Sequence, residues 1–389
     1  MIRKRKFSEY LKHLLKLPFS YQSRHHAPDY VFLGALALII VIGLMMLSSA
    51  SSVTGFKEHG DSYYFFKHQL LVGFLPGLIL FFWAAQMDFR TWKKKAFLML
   101  IVCVVILLAV FIPGLGKNYG KTQSWLKLGP ISFQPAETVK LFFLVYLATW
   151  LEKRGERNLQ DLKYGLIPFL TSLGIISTLI LAQPDIGTLI IILASCLTVY
   201  FIAKAPYRHL LLIGAGVLVI FFLAVQIAPY RLARITAFLN SDVDPQGISY
   251  HITQAKIAVG SGGILGLGIG KSRQKFDYLP EVYGDSIFAV IAEEMGFIFC
   301  VILLALFLTV AIRGFKIARA APDNFSQFLT VGIISWFIFE AFINIAAMIG
   351  LFPITGIPLP FISYGGTALA ISLLGVGIVT NISKQTKPY

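Results

Sequence analysis

The sequence predicts an all-α polytopic membrane protein of about ten transmembrane helices, and three observations carry that expectation. The first is composition. Of 389 residues, 57% are hydrophobic and only 14% are charged, with a mean hydropathy of +0.74. Soluble domains carry about 25% charged residues, so this chain has too little polar surface to cover itself in water. The second is segment length. Apolar stretches at 30–49, 65–84, 97–112, 136–151, 164–181, 186–202, 210–227, 286–312, 328–349 and 368–382 approach or exceed the roughly 20 residues that cross a bilayer as helix. The third is charge placement. With residues 1–29 inside, the segments 85–96, 152–163, 203–209, 313–327 and 383–389 are inside too. Together these six segments hold most of the 34 Lys and Arg, as the positive-inside rule requires. Both termini are therefore expected in the cytoplasm, with a long outer loop, 228–285, between spans 7 and 8.

The simplest organisation is a basic cytoplasmic tail, 1–29, followed by one membrane domain, 30–389. Ser49-Ala50-Ser51 resembles a signal-peptidase site, but the long basic leader and full-length first span favour an uncleaved anchor. Phe7, Tyr10, Leu11, Leu14 and Leu15 share a helical face, so the tail reads either as a short helix on the inner leaflet or as a disordered basic leader. The net charge of +15 follows from the inside segments, and no aromatic-interleaved basic patch points to nucleic acid. Cys103, Cys196 and Cys300 are scattered through spans, which argues against a disulfide framework or a metal site.

Function should lie on the outer side, where three stretches exceed mere connectors: Pro113–Pro135, Ala228–Asp285 and Gly350–Gly366. Asp285 is the last charge before an apolar run that extends to Ile312, which places a carboxylate at a lipid–water boundary. Such a group can work on a substrate with a greasy tail and a polar head, and Glu281 lies beside it. Basic residues in outer loops run against the charge rule unless they serve an anionic ligand. Arg231, Arg234, Lys271, Arg273 and Lys275 are thus candidate anion contacts, with lipid-headgroup anchoring as the alternative for each.

The glycine run GSGGILGLGIG, 260–270, is followed by Lys271-Ser272 but is no P-loop, because the required upstream glycine is Leu265. Close packing of a short apolar segment is the better reading, with a phosphate cradle of backbone amides as the alternative. Glu137 and Lys140 are spaced to pair on one helix, and such intramembrane charges should face protein or a water-filled cavity. Asp185 is placed either to cap the helix that follows it or to touch a substrate. Glu340 and Asn344, one turn apart, are expected to bond each other. No ligand cluster specifies a metal, and no cofactor is identified.

Taken together, these segments resemble the shape, elongation, division and sporulation (SEDS) family, the RodA/FtsW/SpoVE-type proteins. The resemblance rests on SWLKLGPISFQPAETVK (124–140), QPDIGT (183–188), RLARITAFLN (231–240), the stretch 260–294 and the stretch 350–366, in the family's order. The leader and the segment 231–246 are closer to FtsW than to RodA.

The resemblance implies a peptidoglycan glycosyltransferase at the outer face of the plasma membrane. It would polymerise lipid II, transferring glycan strands from undecaprenyl-pyrophosphate onto the GlcNAc 4-hydroxyl with inversion. Asp285 is the implied general base, in division or elongation. A class B penicillin-binding protein and other divisome or elongasome proteins are the implied partners. A divalent cation could share the pyrophosphate. The family's pattern has His-Thr before the catalytic Asp and Phe after it, whereas this chain reads Tyr283-Gly284-Asp285-Ser286. Tyr283 and Ser286 are the residues expected to orient the carboxylate instead. Two other readings remain. A lipid II flippase would need ionisable residues along one path through the bundle, and a scaffold would need no chemistry at all.

Overall fold

The computed structural model describes residues 26–119, 122–128, 131–227, 236, 238 and 248–386. Arg231, Arg234 and most of the basic tail lie outside the described residues.

A helix covers each of the ten expected segments. In chain order the elements are α1 (Tyr30–Ala50), α2 (Ser52–His59), α3 (Tyr64–Gln86) and α4 (Arg90–Ala109). A small sheet follows: β1 (Gly116–Tyr119), β2 (Thr122–Leu128) and β3 (Ile131–Phe133). Then come α5 (Pro135–Leu159), α6 (Leu162–Ala182), α7 (Ile186–Ile202), α8 (Tyr207–Ile227), α9 (Ile248–Ser261), α10 (Ile287–Arg319), α11 (Asn324–Met348) and α12 (Gly366–Ser383). Among the described residues, α1, α3, α6, α10, α11 and α12 are long and apolar enough to cross a membrane. The protein is a multi-pass membrane protein.

Helix ends and irregularities follow from sequence. Asp29 caps α1 through Phe32 N at 3.0 Å and also holds the Arg313 guanidinium at 2.7 Å, tying α1 to the far end of α10. Asp323 and Ser326 form a capping box at the start of α11. Pro76 removes one backbone donor from α3, and the turn Gln69–Phe74 just before it widens to a π-helix. Within that turn the buried Gln69 accepts from Gly365 N and donates to Ser363 O, docking α3 on the loop before α12. Glycines let α3 and α12 touch. A Cβ at Gly77 would meet Leu373 Cδ1 at 2.7 Å, and one at Gly377 would meet Phe81 O at 2.5 Å.

The core centres on α11, whose apolar window is 83% buried, whereas α10 is 33% buried along its own window. Exposed side chains such as Ile79, Phe97, Leu211 and Phe297 form the apolar outer surface that hydrocarbon would cover.

One departure from a purely helical chain lies in the stretch 113–135. It forms an antiparallel sheet of order β1-β2-β3, with Leu126 opposite both Gly116 and Phe133. Alternation explains it: Ser124 and Leu126 are buried while Lys127 is exposed, the period-2 pattern of a half-buried strand. Polar backbone outside the apolar spans must find partners, and a sheet supplies them without requiring a helical face.

Candidate active site

The site is built at the entry to α10. Residues 281–286 form a tight turn in which Gly284 N and Ser286 N both donate to Glu281 O. Glu281 takes the left-handed conformation, φ +48, that this turn demands of a non-glycine residue. Side chains from three directions fix the turn. Asn344 of α11 donates to Asp285 O at 2.7 Å and to Ile357 O at 2.8 Å. Ser363 donates through its hydroxyl to Gly284 O at 2.7 Å, and Tyr364 N donates to Tyr283 O at 2.8 Å. From α9, His251 Nε2 lies 2.6 Å from the buried Ser286 Oγ.

Asp285 itself is half-buried. The loop between α11 and α12 passes its carboxylate at Gly356, φ +74, where an added Cβ would lie 4.0 Å from Asp285 Oδ2. The Glu281 carboxyl is held above the ordinary carboxylate range, by desolvation first and by the neighbouring Asp285 second, against the opposing pull of His251. Tyr283, expected to orient Asp285, packs in an aromatic cluster. It stacks on Phe65 at 4.3 Å and meets Tyr364 edge-on, while the Tyr364 hydroxyl bonds His68 Nδ1 at 2.9 Å.

Behind this turn, the glycine run and α10 share backbone hydrogen bonds. Helix α10 opens at Gly296, φ +76, and the run fills the gap: Leu267 N donates to Glu293 O, Gly268 N to Glu294 O, and Phe297 N to Gly263 O. A Cβ at Gly262 would lie 2.0 Å from Ala292 O, and one at Gly266 2.2 Å from Glu294 O. The run thus packs backbone to backbone on α10, with the Leu267 and Gly268 amides spent there.

The five candidate cations separate. Lys271 and Arg273 are exposed in the segment between α9 and α10. Lys275 is 3% exposed, and its ammonium bonds Glu294 Oε1 at 2.9 Å and Gly270 O at 2.8 Å. Glu294 also accepts from Ser49 of α1 at 2.7 Å and from Ser272 N. Glu293 accepts from Arg273 N and from the Ser272 hydroxyl. Lys275, expected as an anion contact, has its charge paired inside the protein, where it ties the segment before α10 to Glu294. Arg231 and Arg234 lie outside the described residues.

Glu137 and Lys140 pair at 2.8 Å as their spacing predicts, and Lys140 also binds Glu340 of α11 and lies over the Trp336 ring. The expected Glu340–Asn344 bond is thus replaced by partners from other elements: α5 for Glu340, and the Asp285 turn for Asn344. Asp185 caps α7 through Thr188 N at 3.0 Å. Two residues on, at Gly187, α7 abuts the same loop that passes Asp285, since a Cβ there would meet Thr355 O at 2.9 Å. Among the described residues, no group of three or more His, Cys, Asp or Glu is disposed to hold a metal. The residues that sequence reasoning missed are His251 and Ser363, and Asn344 was singled out only as a partner for Glu340. Each reaches the turn from a distant part of the chain, and no local spacing signals it.

A polytopic helical protein with Glu281 and Asp285 on one turn before α10 defines the class. Comparison with known proteins narrows it. The family described as cell cycle protein, comprising FtsW, RodA and SpoVE, matches residues 29–388. The chain is 39% identical over 364 residues to stage V sporulation protein E of Bacillus subtilis strain 168, covering 93% of this chain and 98% of that protein. It is 38% identical to a probable peptidoglycan glycosyltransferase FtsW of Trichlorobacter lovleyi, covering 92% and 94%. Among solved structures, a chain from a peptidoglycan synthase complex that coordinates polymerization and crosslinking superposes with TM-score 0.76 at 27% identity, covering 92% of this chain and 98% of that one. The Thermus thermophilus rod shape determining protein RodA superposes at 0.69 with 26% identity, covering 93% and 99%. The chain belongs to the FtsW/RodA/SpoVE family and is an FtsW-like member of it.

Proposed function

We propose that this protein is a peptidoglycan glycosyltransferase that polymerises lipid II at the outer face of the plasma membrane. The observation that carries the reading is the Asp285 carboxylate, half-buried on a turn whose backbone is gripped by Asn344 and Ser363. A base must be held within a few tenths of an ångström of its working position, and three elements converge to do so. In the proposed step, Asp285 takes the proton of the GlcNAc 4-hydroxyl as that oxygen attacks the anomeric carbon of the growing strand. The bond from that carbon to the pyrophosphate oxygen breaks, the configuration inverts, and the pyrophosphate leaves with the bonding electrons.

One carboxylate suffices, because pyrophosphate leaves without needing a proton. A hydrolase of glycosides uses a pair. The departing charge needs cations and dipoles instead. Lys271 and Arg273 are exposed cations of the stretch before α10, Arg231 and Arg234 are proposed to join them, and the N-terminus of α10 adds positive potential at the same place. A divalent cation could share this role.

The proposed orientation rests on charge: with Lys316 and Arg319, in the last turn of α10, placed inside, Asp285 before its first turn lies on the outer side and both termini are cytoplasmic. The work is proposed to serve division, or elongation or sporulation, beside a crosslinking partner of the class B penicillin-binding type. A flippase would line one path with charge. Here Glu137, Lys140 and Glu340 form one closed cluster and Lys275, Glu293 and Glu294 another, with no ion pair between them among the described residues.

Purified protein with its crosslinking partner should polymerise lipid II, and Asp285→Asn should abolish polymerisation while leaving thermal unfolding unchanged. Robust glycan synthesis by Asp285→Asn would remove that carboxylate from the mechanism.

A further inference from the structure

The chain lacks an imidazole in the residues flanking Asp285, yet the fold brings one in from α9. Ser286 is the N-cap of α10, but its side chain makes no cap hydrogen bond. It is fully buried, and its hydroxyl is committed to His251 Nε2 at 2.6 Å. His251 is firmly placed: Ser249, Ile252, Ala255 and Ala258 of the same helix are all buried, which fixes the face that α9 turns to its neighbours. The imidazole also acts electrostatically on Glu281, the residue that neighbours Asp285 in the same turn.

Asn344 and Ser363 hold the turn through the carbonyls of Asp285 and Gly284. The contact from His251 is made to a side chain at the very next residue, and it alone of the three comes from an ionisable group. An idle N-cap hydroxyl is free to cap its helix, and α10 forgoes that bond in favour of the imidazole.

We propose that His251 is a positioning residue for glycosyl transfer, fixing Asp285 through Ser286. The inference rests on the proposed function and adds to it the group that aims the base. Its consequence is a loss in the chemical step rather than in substrate binding, because His251 acts through its neighbours. A displacement of a base by a fraction of an ångström lowers turnover by about tenfold to a hundredfold.

The test is steady-state lipid II polymerisation by the full-length protein with its crosslinking partner. His251→Phe, Ser286→Ala, the double variant and His251→Gln are compared with wild type and with Asp285→Asn. His251→Phe and Ser286→Ala should each lower kcat by about tenfold or more with KM unchanged. The double variant should fall no further than the worse single one, since both cut the same link. His251→Gln, whose amide reaches the place of Nε2, should recover most of the activity. Wild-type turnover in either single variant, additive losses, or a change confined to KM would each overturn the inference. If His251→Phe fails to fold, the removal of one hydroxyl in Ser286→Ala still decides the matter. Activity in Asp285→Asn sinks the parent reading. An inactive Asp285→Asn beside a fully active His251→Phe sinks this inference alone.

Discussion

Replacing Lys275 by methionine separates an anchoring role from a substrate contact. The ammonium is 3% exposed and bonds Glu294 Oε1 at 2.9 Å and Gly270 O at 2.8 Å, while Met fills a similar volume without charge. Removing one partner of a buried pair costs about 3–5 kcal/mol, because the other charge stays buried and uncompensated. Glu294 keeps its bonds from Ser49 and Ser272 N, which places the cost near the lower end, about 3 kcal/mol. That raises the population with the outer loop detached from α10 roughly a hundredfold. Neutralising Glu294 as well should reverse most of the loss, since a glutamine there still accepts from both serines.

The assay pairs hydrogen exchange at Leu267 and Gly268, whose amides donate into α10, with lipid II polymerisation. Lys275→Met should speed exchange at these amides and depress activity, and Lys275→Met with Glu294→Gln should restore both. If Lys275→Met exchanges like wild type yet polymerises nothing, and Glu294→Gln does not rescue it, the lysine touches substrate and the anchor reasoning is refuted.

Two further perturbations probe the same neighbourhood. Gly266→Ala places a Cβ 2.2 Å from Glu294 O at a φ of +79, combining about 1–2 kcal/mol of left-handed strain with about 1–3 kcal/mol of backbone displacement, and should lower the unfolding temperature by several degrees. An unchanged melting curve would show that the run and α10 are not in backbone contact. Glu281 binds its proton more tightly folded than unfolded, so its contribution to stability is present below the ordinary carboxylate range and is lost as pH rises through its elevated value. Glu281→Gln should therefore be at least as stable as wild type at neutral pH, with the advantage gone in acid. A variant less stable at neutral pH than in acid, relative to wild type, would contradict that sign.

Much of the site was legible because charge is costly in a bilayer. Asp285 stood out as the last charge before an apolar run, and Glu137 and Lys140 paired at the spacing that helix geometry allows. The P-loop reading of the glycine run failed on spacing alone. Lys275 could not be told from Lys271 and Arg273, since all three are cations of one outer stretch and only burial separates them. Spacing also misled for Glu340 and Asn344: one helical turn permits a bond between them, but each finds a stronger claim across the bundle. The strands at 116–133 were hidden by a loop-like composition, their alternation being short and interrupted by glycine and proline.

By itself, the amino-acid order determined the class of protein, its helices and the acid that precedes α10. These properties depend on local hydrophobicity and on counting charges, and both are written along the chain. The tertiary structure alone decided which cations are spent inside the protein, and it alone brought His251, Asn344 and Ser363 to the turn that carries Asp285. Those contacts join helices far apart in sequence, and their partners are chosen by close packing and by the need to satisfy every buried polar group, neither of which leaves a mark on neighbouring residues.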